Sequence, residues 1–174
     1  MRTRGTLIAI TAALVALSKP GDAAPNDDIL STILAKGEAH GGIDPSDARL
    51  APDMLPLKAQ VYIATDGAKG CGARLAGVDI PKFEDTETTF AELKARVAKT
   101  IAFLKTLDRK AFAGAETKHI VLKFPNTTFE FNGADYVGRF VLPNVYFHIT
   151  TAYGILRNRG VALGKPDYLG GAQA

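Results

Sequence analysis

Seven residues, Met54, Leu57, Val61, Ala64, Ala68, Cys71 and Leu75, follow one another in steps of three, four, three, four, three and four. An unbroken alternation of that kind places every member on one stripe of an α-helix, and the stripe must be buried against other helices. A strand buries every second residue, so this segment reads as a helix and not as a strand. Pro52 and Asp53 read as its first turn, with Pro56 still early enough to be tolerated, and Gly77 reads as its stop. Gly67, Gly70 and Gly72 interrupt good helix formers, at a cost of about 1 kcal/mol each against alanine. They imply either a close helix neighbour or a soft helix end.

The rest of the chain supplies partners for that stripe. Asn26 and Asp27 cap a helix with Ile29 or Leu30, Ile33 and Leu34 on its inner side, and Gly41-Gly42 ends it after His40. Thr89 and Glu92 form a capping-box pattern for a helix with the seam Phe90, Leu93, Val97, Ile101, Leu104 and Leu107. Its charges, Glu92, Lys94, Arg96, Lys99 and Lys105, read as a solvated face. Between Lys118 and Phe131 the period shortens, and two β-rich runs around Pro125-Asn126 predict a hairpin lying on one end of the bundle. The segment Asn132–Gly160 is the longest apolar stretch and reads as the last helix. Asn132 is its cap, Pro143 should kink it by freeing the carbonyl of Arg139, and Gly160 stops it. The tail from Val161 should wrap the surface. The fold class is therefore all-α, a four-helix bundle with a short β-hairpin between helices 3 and 4.

Composition bounds the function. The 174 residues are 47% hydrophobic and 22% charged, with no tryptophan, which suits one aliphatic core. The formal net charge of +3 invites a nucleic-acid reading, but Arg2, Arg4 and Lys19 against Asp22 carry most of it. The remainder nets +1 and has no basic run interleaved with aromatics, so nucleic acid is not an expected partner. Cys71 is the single cysteine; it can neither close an internal disulfide nor build a cysteine-rich zinc site, and reads as a core residue.

Residues 1–23 have the layout of a secretory signal peptide: two arginines, an uncharged run from Gly5 to Ser18, then Pro20-Gly21 and small residues. The run is shorter than the roughly 20 apolar residues a membrane span needs. Cleavage after Ala23 would leave residues 24–174 as a periplasmic or secreted domain with no stable membrane anchor. A first helix retained in a cytoplasmic protein is the alternative.

Asn144, His148 and Thr151 share one face of the last helix at spacing i, i+4 and i+7, continued by Val137, Val141 and Ile155. Buried polar groups without partners cost a few kcal/mol each, so this line needs either an internal network or a ligand. In the network reading His148 bridges Asn144, the freed Arg139 carbonyl or Gln60. In the ligand reading His148 is a general base or metal ligand, with Tyr146 and Tyr153 offering hydroxyls and Asp53 or Asp66 a carboxylate. His40, at a helix C-terminus, is stabilised there when protonated, and is the second candidate metal ligand.

The segments ARLAPDMLPLKAQV (Ala48–Val61), AKGCGARLAGVDIPKFEDTETTFAEL (Ala68–Leu93) and FVLPNVYFHITTAYGILRNRGVALGKPDYLG (Phe140–Gly170) carry a resemblance covering about residues 29–170. They resemble the bacterial domain-of-unknown-function family nineteen-ninety-three, within the DinB/YfiT-like four-helix bundles. That resemblance implies a DinB-like bundle and, from the wider superfamily, a divalent metal held by three histidines, two of them four residues apart on the last helix. Some such relatives are hydrolases or thiol transferases. Here His148 matches one histidine, while position 144 is asparagine and position 152 alanine, so the triad is incomplete. Histidines common in the family near Arg139 or Asn158 are also missing, and the signal-like segment stands where a longer first helix is usual. Two functions follow as expectations: a non-catalytic exported bundle that binds an unknown small molecule or a partner near His148, and a metal-dependent enzyme. A homodimer is compatible with either.

Overall fold

The computed structural model describes residues 29–169, and they form the expected bundle. The helices are α1 (Ile29–His40), α2 (Leu57–Ala76), α3 (Phe90–Lys105), α4 (Leu142–Asn158) and a short α5 (Lys165–Tyr168). Helices α2 and α4 form the central pair, α3 packs on α1 and α2, and α1 also touches α4. Leu57, Val61, Ala64, Ala68, Cys71 and Leu75 of the α2 stripe are all buried. They meet Val145, Ile149, Ala152, Ile155 and Leu156 of α4 within one core. Residues 1–23, read above as a signal peptide, the expected caps Asn26 and Asp27, and the tail after residue 169 lie outside the described residues.

Local signals set most helix ends. Gly77 adopts the left-handed conformation (φ 76°), and its N–H and that of Val78 both reach back to the carbonyl of Ala73. Thr89 and Glu92 form the reciprocal capping box. The start of α2 differs from the sequence expectation. Residues 51–54 are a turn, Pro56 is the N-cap, and the helix begins at Leu57. A residue before proline is pushed away from helical angles, so Leu55-Pro56 resists inclusion in the helix. Met54 and Asp53 therefore precede it.

The hairpin pairs β1 (His119–Phe124) with β2 (Thr127–Asn132) in antiparallel register, Ile120 opposite Phe131 and Leu122 opposite Phe129. Lys118, at its start, donates to the Leu75 carbonyl at the end of α2, which seats the hairpin on that end of the bundle. His119 is an exposed strand residue whose Nε2 pairs with Glu130 at 3.0 Å. Two 3-10 turns, Arg109–Phe112 and Ala115–Thr117, join α3 to β1.

Asn132 caps the last helix, its side chain accepting from the N–H of Asp135. One α-helical turn (Gly133–Asp135) then widens into a π-helical segment, Tyr136–Val141, before α4. The Leu142 N–H reaches five residues back, to the carbonyl of Val137. The perturbation expected from Pro143 thus takes the form of a π turn preceding it. Phe140 of this segment packs among Tyr136, Phe131, Phe129 and Phe124, which joins it to the inner face of the hairpin. After Gly160 the tail folds back. Asp167 pairs with Lys36 at 2.7 Å, and the Tyr168 hydroxyl meets Thr150 Oγ1 at 2.9 Å.

The solvated face assigned to α3 needs one correction. Arg96 is buried, and its guanidinium is fully engaged. Nε donates to Thr65 Oγ1, NH1 to the Glu84 carbonyl and to Glu87, and NH2 to Asp66 and Asp85. The acidic segment between α2 and α3 is folded over this arginine. Phe83 lies under Lys69 and Lys99, and the Tyr62 hydroxyl donates to the Glu87 carbonyl.

Candidate functional site

The antiparallel crossing of α2 and α4 brings Gln60 to His148. Both are buried, and Gln60 Oε1 lies 2.7 Å from His148 Nδ1. The amide of Gln60 is oriented from its other side, because its Nε2 donates to the Leu55 carbonyl at 2.9 Å and a carbonyl can only accept. Oε1 must then be the atom that faces the histidine, and it also can only accept. His148 is therefore the tautomer with the proton on Nδ1, and Nε2 carries a free lone pair. Among the described residues no protein donor reaches that nitrogen.

Burial holds the His148 pKa below the usual histidine value. The unfolded chain thus takes up a proton in a range where the native imidazole stays neutral. The sign follows: as pH falls below about 6.5, protonation favours the unfolded state, and stability is lost until the native histidine also titrates. Replacing His148 with glutamine should flatten the decline of Tm between about pH 6.5 and 5, measured by thermal melts across that range. An unchanged slope would show that His148 does not titrate differently on unfolding.

Two exposed apolar residues neighbour this pair. Phe147 stands edge-on to the imidazole with centroids 5.2 Å apart and is 56% exposed, and Leu55, whose carbonyl anchors Gln60, is 50% exposed. Asn144 lies one turn before His148, beside Gly67: a Cβ built on that glycine would sit 3.9 Å from Asn144 Nδ2. The Asn144 amide has no hydrogen-bond partner among the described residues.

The other predicted site residues fall elsewhere. Thr151 is on the expected face, but its hydroxyl donates to the Phe147 carbonyl of its own helix at 2.7 Å. Tyr146 points outward, and Tyr153 packs edge-on against Tyr168. Asp53 is exposed in the turn before α2, and Asp66 serves Arg96 and Lys69. His40 ends α1 with its Nδ1 3.0 Å from the Gly41 carbonyl and its Nε2 close to Gly160. Gly160 lies twelve residues beyond His148, about 18 Å along the helix direction. The two histidines therefore do not share an ion, which corrects their expected pairing as ligands. A single imidazole flanked by two amides also lacks the donor set a divalent transition metal needs. Among the described residues, no three His, Cys, Asp or Glu side chains gather at one point.

Sequence reasoning named Gln60 as a partner for His148, and the structure selects it over Asn144 and the Arg139 carbonyl. It passed over Arg74. This side chain folds back over Gly70 and donates through NH1 to the buried Tyr136 hydroxyl at 3.1 Å. Burial pushes both Tyr136 and the neighbouring Cys71 up to about 12, so each stays protonated and neutral.

Comparison with known proteins agrees with this architecture. The family model described as domain of unknown function (DUF1993) matches residues 26–169. A solved structure described as a DinB family member protein from Shewanella denitrificans is 36% identical, with a TM-score of 0.81 over 97% of this chain and 96% of that one. Among curated proteins, none matches the chain.

Proposed function

The chain belongs to the DUF1993 family, and from that premise we propose that it is an exported helical bundle binding a small molecule at His148, without a resident metal. The observation that carries this reading is the contact between Gln60 Oε1 and His148 Nδ1, from which the tautomer follows. Gln60, itself held by Leu55, fixes the Nδ1 proton and leaves Nε2 as a bare acceptor on a ring that Phe147 flanks. A ligand suited to it presents one O–H or N–H donor on a flat apolar body that packs against Phe147 and Leu55. With its pKa held low by burial, His148 accepts that hydrogen bond as the neutral ring. Export rests on the arginine-flanked apolar run within residues 1–23.

The likeness to a DinB family member favours a second reading, a metal-dependent hydrolase or thiol transferase with His148 as ligand. Two measurements separate the readings. Elemental analysis of the purified protein should find far less than one divalent metal per chain, unchanged in His148→Ala. Long-range 15N NMR should show His148 Nε2 unprotonated at pH 7, and titration with phenol, which pairs a donor with an apolar ring, should shift it saturably. Stoichiometric metal that disappears in His148→Ala would establish the enzyme reading instead. A phenol titration that leaves Nε2 unmoved would defeat the ligand site.

A further inference from the structure

Alternation along the two strands puts Ile120, Leu122 and Phe124 on one face of the hairpin, with Phe131 and Phe129 opposite the first two across the ladder. A hairpin that rests on a core should have this face covered from end to end. At the base it is covered, since Ile120 and Leu122 are buried. At the turn it is not: Phe124 is 47% exposed and Phe129 43%, although both belong to the inward face. The strands therefore run past the surface beneath them. Phe140 of the π segment reaches under their tip, its ring centroid 6.4 and 6.2 Å from the two. Reversal of the chain does not call for the rings, because Pro125-Asn126 supplies the turn residues and Thr127 closes the ladder opposite Phe124.

The four residues between the rings, Pro125-Asn126-Thr127-Thr128, carry no charge. Behind them stand Lys123 and Arg139, which precede Phe124 and Phe140 in the chain. Both are exposed, and neither joins an ion pair among the described residues. The neighbouring carboxylates are engaged, Glu130 with His119 at 3.0 Å and Asp135 with the Asn132 amide at 3.0 Å. Somewhat under half of each ring is open, which makes roughly 200 Å² of apolar surface for the two. A stable protein interface covers about 800 Å² on each partner, so the rings are too small a patch to carry one. An apolar tip of this size, uncharged at its end and basic behind, fits the boundary between acyl chains and anionic headgroups. We propose that the hairpin turn docks reversibly on an anionic phospholipid surface, with Phe124 and Phe129 entering the headgroup boundary and Lys123 and Arg139 meeting lipid phosphates. The turn enters without stripping water from a charge. Contact of this kind is peripheral and needs no membrane-crossing helix, of which there is none among the described residues.

The test is co-sedimentation of the full chain with sucrose-loaded vesicles of phosphatidylcholine, alone or mixed in equal parts with phosphatidylglycerol. Binding to the mixed vesicles should be at least about tenfold tighter than to the neutral ones, since each cation near such a surface contributes about fivefold. Phe124→Ser combined with Phe129→Ser should weaken it at least about tenfold, because their apolar surface no longer leaves water. Lys123→Gln combined with Arg139→Gln should weaken it to a similar degree. Those two side chains are exposed and unpaired, so this variant serves if the serine variant does not fold. The chain has no tryptophan, so Phe124→Trp adds a single reporter, whose emission should move to shorter wavelength on the mixed vesicles alone. Every variant keeps residues 1–23, and binding through their apolar run would persist in all of them. Binding that is undiminished in the folded variants, or equal on neutral vesicles, would overturn the proposal. So would a lipid-free dimer in sedimentation velocity that the serine variant abolishes, which would assign the rings to a second copy of the chain.

Discussion

Arg96→Ala should cost about 3–5 kcal/mol of stability, the usual penalty for removing one member of a buried ion cluster. For a chain of this length that is a fall in Tm of about 6–20 °C. The side chain is fully inaccessible, and it ties α2, α3 and the segment between them together. Without it Thr65 Oγ1 loses its donor in the core, while its own bonds to the Val61 and Tyr62 carbonyls remain. Glu87, which is 18% exposed, loses its cation, whereas Asp66 and Asp85 are 44% and 55% exposed and can hydrate. The loss should therefore fall mostly on the order of the acidic segment. Limited proteolysis should detect new cleavage between residues 78 and 88 in Arg96→Ala before global unfolding. Asp85→Asn should change stability by less than about 1 kcal/mol, as exposed pairs do. A full-length variant melting within two or three degrees of wild type (about 1 kcal/mol) would show that the cluster is dispensable.

The error over Arg96 shows where legibility stopped. Capping at Thr89-Glu92 and termination at Gly77 depend on residues within one turn, so a linear reading finds them. The α2 stripe is equally local, because its period alone states which side is buried. Arg96 sits beside Val97 on a helix that packs against two others and is also overlaid by a connecting segment. Each additional partner widens the buried arc, and the wheel of a single helix does not reveal them. The same limit applies at the site. His148 stood out as a polar residue on an apolar line, but its tautomer depends on the register of α2 against α4 and on a backbone carbonyl at Leu55. Arg74 gave no linear signal at all, since the Tyr136 hydroxyl it meets lies 62 residues away in the sequence. The three glycines of α2 were legible as a sign of close approach, and each has its own neighbour: Val145 at Gly67, the Arg74 guanidinium at Gly70, and Leu104 at Gly72.

Gly133→Ala should be among the most disruptive single-methyl changes available to this protein. Gly133 opens the last helix, and a Cβ built there would fall directly on the carbonyl oxygen of Ala115. Flexible side chains can swing out of the way of a methyl group, but this obstacle is backbone. Ala115 is itself buried, and its carbonyl accepts the Lys118 N–H that leads into β1. Relief therefore requires moving the 3-10 turn and the hairpin together, or tilting the start of the helix that carries Tyr136 and Phe140. Overpacking of this kind costs about 1–3 kcal/mol, and backbone on both sides places this case near the top, about 3 kcal/mol. The corresponding fall in Tm is about 6–12 °C. Gly138→Ala supplies the contrast five residues on: it is exposed, nothing lies within 4 Å of its Cβ position, and it sits in helical backbone. There alanine should be neutral or stabilising by up to about 1 kcal/mol, because it narrows the unfolded ensemble without meeting an obstacle. Thermal melts of the two variants read the comparison directly. Equal Tm values would mean that the hairpin and the last helix are not held in the close approach on which the position of Tyr136, and with it the Arg74–Tyr136 hydrogen bond, depends.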